Sequence, residues 1–126
     1  MRNLFLYLLL FMTLACTQDK LTAIDAGPEP ACEEAPTYEN SVKAIIDNSC
    51  AYTGCHVSGN PGDYTNYIGL NRVVTSGAFE SRVFTQKDDP FIGMPPSYAP
   101  NGRPTDLTAE ELDLLRCWID SGSPEL

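Results

Sequence analysis

Cys50-Ala51-Tyr52-Thr53-Gly54-Cys55-His56 puts two thiols and an imidazole into one short run, with the last thiol and the imidazole side by side. His56 is the only histidine of the chain. Of the three methionines, Met1 and Met12 lie in an apolar leader, and Met94 alone lies beyond it. A Cys-His pair with a second Cys shortly before it is the pattern of covalent haem attachment, whose usual run is Cys-x-x-Cys-His. Here four residues separate the thiols instead of two. Two thiols, one imidazole and one thioether form the minimal protein set for a c-type haem with His and Met as axial ligands.

The wider spacing has a conformational consequence. Cys50 lies five residues before Cys55, about 7.5 Å along an ideal helix and on a different face. The intervening residues 51–54 must therefore bulge or turn, and Gly54 permits this. A plain Cys50–Cys55 disulfide beside an exposed His56 is the competing use of the same residues. A zinc site drawing Cys50, Cys55, His56 and Cys117 together is a weaker third, because a second closely spaced Cys pair is missing.

Met94 opens the run Met94-Pro95-Pro96. The prolines stiffen the segment and favour an extended conformation at Met94. With residues 89–93 before it and 98–102 after it, rich in Pro and Gly, it reads as a rigid non-helical loop able to carry a distal ligand.

Upstream, residues 1–15 read as an export signal: Arg2 gives the positive start and residues 4–12 the apolar stretch, too short to span a bilayer. Thr13-Leu14-Ala15-Cys16 resembles a bacterial lipobox, which would make Cys16 the lipid-bearing residue of an envelope protein in the periplasm or outer membrane. Residues 16–36, with Gly27-Pro28-Glu29-Pro30 and Glu33-Glu34-Ala35-Pro36, read as a tether holding the domain of residues 37–126 off the membrane. Cys32 sits at the edge of that domain. With Cys16 given to lipid, four cysteines remain for an oxidising compartment, and they allow three pairings. If haem takes Cys50 and Cys55, Cys32 and Cys117 are left to bridge.

The folded part is one domain by length. The formal charge of −9, from 8 basic and 17 acidic side chains, argues against nucleic acid and against an anionic membrane surface as partners. Membrane contact is then expected through the N-terminal lipid alone. Val42, Ile45, Ile46 and Ser49 fall on one helical face and predict a helix over 40–49 that delivers the chain into Cys50. Tyr67, Leu70, Val73 and Val74 predict a second over 66–75, stopped by Gly77. A further turn is expected over 79–84. The last helix opens on a capping box, Thr108 with Glu111, flanked by Leu107 and Leu112 as a hydrophobic staple. Leu112, Leu115, Trp118 and Ile119 continue its apolar face, and Gly122 ends it. No segment alternates as a strand should, so the class is all-α, with three to four short helices separated by long loops.

From Cys32 to Pro124 the chain resembles the small monohaem cytochrome c domains of bacterial envelope lipoproteins. The matching runs are Ile46-Asp47-Asn48-Ser49-Cys50, Gly54-Cys55-His56, Gly93-Met94-Pro95-Pro96 and Leu107-Thr108-Ala109-Glu110-Glu111 leading into Cys117-Trp118-Ile119-Asp120-Ser121-Gly122. The resemblance implies a cytochrome c-like fold around one covalent haem c, with thioethers at Cys50 and Cys55 and axial ligands at His56 and Met94. It implies a Cys32–Cys117 disulfide and a last helix packed across the first, with Trp118 in the core. The function implied is electron transfer with redox partner proteins. No catalytic residue is expected, since no nucleophile and base pair is available once His56 is committed. Arg72, Arg82, Lys87 and Arg103 are the cations nearest the middle loops, where one of them could meet a haem carboxylate. Tyr64 and Tyr67 could line the pocket. The other reading of the whole chain is a haem-free surface binding module stapled by disulfides.

Overall fold

The computed structural model describes residues 32, 35–58 and 62–126. The export leader, Cys16 and most of the tether lie outside the described residues. Among those described, all regular structure is helical and none is strand.

The first helical segment begins two residues before the sequence places it. Thr37 and Asn40 form a capping box, the Thr37 hydroxyl accepting from Asn40 N–H at 3.3 Å and Thr37 N–H donating to Asn40 Oδ1 at 2.9 Å. A wide π-helical turn, Tyr38–Val42, follows and runs into α1, Lys43–Ser49. The turn keeps Tyr38 and Val42 on the buried side together with Ile45, Ile46 and Ser49. The N–H groups that open a helix have no partner within it. Here the C-terminal strap supplies them: Tyr38 N–H donates to Pro124 O at 2.9 Å and Glu39 N–H to Glu125 O at 3.1 Å.

α2, Tyr67–Thr75, starts at Asn66, whose side chain accepts from Gly69 N–H at 2.9 Å. It buries Leu70 and partly buries Tyr67, Val73 and Val74, the face expected from the sequence. Gly77 takes a φ of +74°, which an L side chain resists, and redirects the chain. A single turn, α3 (Ala78–Glu80), then continues into a second π-helical turn, Ser81–Thr85, burying Phe79 and Val83.

α4, Ala109–Asp120, has the expected capping box. Thr108 N–H donates to Glu111 Oε2 at 2.9 Å, and Glu111 N–H donates to the Thr108 hydroxyl at 3.2 Å. The helix packs against the Tyr38–Val42 turn. Leu107, Leu115 and Trp118 lie in the same core as Tyr38, Val42, Ile46 and Leu70, with Leu112 packed against it. The buried indole is satisfied by donating to Pro124 O at 2.9 Å, and Tyr67 donates its hydroxyl to Ser123 O at 2.9 Å. Residues 123–125 thus join three elements. Cys117, at the buried side of α4, is disulfide-bonded to Cys32 with the Cα atoms 5.7 Å apart. A bridge spanning 85 residues constrains the unfolded chain. In the chain-entropy account that constraint contributes about 4 to 5 kcal/mol.

Candidate functional site

α1 ends where the two-thiol run begins. Cys50 N–H and Ala51 N–H both donate to Ile46 O, at 2.8 and 2.7 Å. Cys55 N–H then donates to Tyr52 O at 2.9 Å, and His56 N–H returns to Cys50 O at 3.2 Å, closing residues 50–56 into a tight curl. Gly54 has a φ of +92° and open space around its Cα, so backbone freedom is what its position demands. The four-residue spacer is accommodated by a turn, as the helix geometry required.

Cys50 and Cys55 are both free thiols. The competing Cys50–Cys55 disulfide is absent from the described residues, and Cys117 is taken by Cys32, so the Cys3His zinc set does not assemble. Burial pushes the Cys50 thiol up to about 12, with smaller contributions from Cys55 and Glu111. Tyr52 is buried, and its pKa is likewise pushed up to about 12, by burial first and then by the neighbouring Cys55 sulfur.

His56 is buried, and burial holds its pKa below the usual histidine value; the Gly62 backbone opposes that shift. Nδ1 still makes no formed hydrogen bond. One face of the ring is covered by Tyr64, with centroids 4.0 Å apart and planes 9° from parallel. The two residues are also joined through the backbone, Tyr64 N–H donating to His56 O at 2.8 Å.

Met94 reaches the same region from the loop between Thr85 and α4. Its N–H donates to Arg82 O at 3.1 Å, while Arg82 Nη1 donates to Ile92 O at 3.3 Å. Gly93 N–H donates to Asp89 O at 2.9 Å. The Asp89 carboxylate accepts from Phe91 N–H at 2.9 Å and Ile92 N–H at 3.2 Å. Gly93 is buried with the carbonyls of Gln86, Lys87 and Asp89 where a Cβ would stand, so no larger residue fits without a shift of the backbone there. Pro95 and Pro96 are buried, and the Met94–Pro95 peptide is cis.

These segments close around a cavity of about 510 Å³. That volume lies within the range of small-molecule and cofactor sites, roughly 300 to 1,000 Å³. Cys50, Cys55, His56 and Met94 all line it, with Ser49, Tyr52 and Gly54 from the curl and Tyr64 behind His56. Val73, Ala78, Phe79 and Val83 form an apolar wall, and Arg82, Pro96 and Tyr98 complete the lining. Buried polar atoms without partners are rare in native interiors. Four such atoms occur among the described residues, and three of them (Ser49 Oγ, Tyr52 Oη and His56 Nδ1) belong to residues lining this cavity. An apolar chamber bearing two thiols, an imidazole, a thioether and unpaired polar atoms suits a large, mostly apolar group with a metal and polar edges.

Tyr64 is the residue the sequence underweighted, and no local spacing marks it, because it lies in a loop. Tyr67 does not line the cavity and belongs to the core. Of the four cations considered, Arg82 lines the cavity. Arg103 instead donates to Asp47 O at 3.3 Å and Asn48 O at 3.1 Å, with its guanidinium 4.6 Å from the centre of the Tyr52 ring. Lys87 pairs with Asp88 at 2.7 Å. Arg72 is exposed on α2. In comparisons with known proteins, no family model, no curated protein and no solved structure matches the chain.

Proposed function

We propose that the protein is a non-enzymatic electron carrier holding one covalent c-type haem, with thioethers at Cys50 and Cys55 and axial ligands at His56 and Met94. The observation that carries this reading is the meeting of those four side chains around one cavity, although Met94 is far from the others in sequence. A haem bound there would supply an iron centre that takes up and releases one electron. The chain's own residues would do the rest. Ser49 to His56 curl so that both sulfurs and the imidazole serve one chamber, and Tyr64 fixes the plane of the ring. The Gly93 turn and the Arg82 carbonyl set the height of the Met94 backbone. The apolar wall of Val73, Phe79 and Val83 keeps water from the group.

With both axial positions taken by protein, the site would have no open coordination position, which separates a carrier from an oxygen- or peroxide-using enzyme. The Cys32–Cys117 bridge suits an exported protein, and in this reading the domain stands in the bacterial envelope on a lipid at Cys16 and serves redox partner proteins. The same bridge suits a haem-free stapled binding module. The free thiols at Cys50 and Cys55 favour the carrier, since a stapled module would use them in a second disulfide.

The test is redox cycling of protein made with a cytochrome c maturation system. A carrier should reduce and reoxidise reversibly, with an unchanged six-coordinate spectrum when carbon monoxide is offered to the ferrous form. Rapid carbon monoxide binding would show an open site and remove the carrier reading.

A further inference from the structure

Among the described residues, Arg82 is the one charged residue lining the cavity, and no carboxylate lines it, in a chain with 17 acidic residues. Among the described residues no carboxylate forms an ion pair with Arg82. Its backbone and side chain both hold the Met94 loop, the carbonyl accepting from Met94 N–H at 3.1 Å and Nη1 donating to Ile92 O at 3.3 Å. A guanidinium has five N–H donors in a planar fork. The bond to Ile92 uses one, which leaves enough of the fork for a carboxylate oxygen pair.

We infer that Arg82 is the anion-recognising residue of the cavity: it takes a carboxylate of the bound group while keeping hold of the loop that carries Met94. The inference rests on the haem reading and goes beyond it, because it ties the acidic edge of the cofactor to the distal ligand through a single side chain. Haem brings two carboxylates, and among the described lining residues Arg82 is the one cationic partner for them. The fork geometry matters as well as the charge. Arginine can bond Ile92 O and a carboxylate at once, whereas a lysine ammonium acts as a compact point charge without the planar fork.

The experiment compares wild type, Arg82→Lys and Arg82→Met, all produced with a maturation system and checked for one haem by intact mass. Midpoint potential is measured from pH 5 to pH 8, with the sulfur-to-iron absorption band followed as a marker of Met94 ligation. An adjacent guanidinium favours the ionised carboxylate, so its loss should raise the carboxylate's proton affinity about tenfold or more. Arg82→Met should therefore show a potential that falls as pH rises through this range, where wild type is flatter. Arg82→Lys should lie between the two, and it carries the comparison if Arg82→Met fails to load. A loaded variant with the wild-type pH profile overturns the inference, even if its Met94 band is weakened, because Arg82 would then be only a loop tie. A wild-type chain that takes no haem overturns the haem reading itself.

Discussion

The His56 imidazole lies flat on the Tyr64 phenol ring, centroids 4.0 Å apart and planes 9° from parallel. The contact sets the orientation of the one histidine in the chain, and a backbone hydrogen bond between the same two residues keeps the rings in register. Tyr64→Phe should preserve the stack. Tyr64→Leu should remove it, at about 1 kcal/mol beyond the change in burial. In haem-loaded protein the ferric electron paramagnetic resonance spectrum reports the imidazole plane. The g-values should hold in the Phe variant and shift or broaden in the Leu variant. Unchanged g-values in Tyr64→Leu would mean that the imidazole is oriented without Tyr64.

Met94 is the only candidate for a thioether ligand outside the leader. Met94→Ala should lower the midpoint potential by on the order of 0.1 V, a fraction of the roughly 0.8 V that axial ligands span. It should also admit an external ligand such as imidazole or cyanide. A variant with the wild-type potential and spectrum would take Met94 out of the site.

Gly93 is surrounded by backbone carbonyls that cannot yield as a flexible side chain would. Gly93→Ala should therefore cost about 1 to 3 kcal/mol, the range for overpacking a filled site. It should also weaken the Met94 band out of proportion to the lost stability, because Met94 is the next residue. Thermal melts beside the absorption spectrum check this. A stable variant with a full Met94 band would show that the loop has slack.

Burial raises Cys50 from the ordinary 9.0 to about 12 in the haem-free protein, and it keeps the thiol protonated in the folded state where the unfolded chain would ionise. The folded form then binds more protons between those values, so stability falls as pH rises from 9.0 toward about 12. The contribution is fully present below pH 9.0. Thiolate is the nucleophile, so alkylation of Cys50 by iodoacetamide at pH 8 should be slow while the protein is folded and rapid once it is unfolded. Equal rates in the two states would contradict the buried environment.

Much of the fold is written locally. The Thr108 and Glu111 capping box and the apolar face from Leu112 to Ile119 each sit on contiguous residues, and the structure places both where the spacing does. The helix expected over 66–75 forms over Tyr67–Thr75, with Asn66 as its cap. The start at Tyr38 was hidden because it depends on a π-helical turn and on carbonyls of Pro124 and Glu125, a contact across the whole domain. The need for a turn between Cys50 and Cys55 followed from helix geometry alone. The joining of Met94 to His56 in one cavity did not, since no local pattern fixes where a proline-rich loop comes to rest. Tyr64 and Arg82 were each named as one of several candidates, and nothing local singled either of them out. Their places at the cavity come from loop closure and, for Arg82, from the Ile92 carbonyl, not from periodicity.

The most direct test of the central claim is a pyridine haemochrome spectrum of protein made with a cytochrome c maturation system, read beside its denatured intact mass. The account predicts a c-type band and the added mass of one haem retained under denaturation, with the band position of two thioethers instead of one. A colourless protein whose mass shows no addition, and whose Cys50 and Cys55 have become a disulfide, would contradict it.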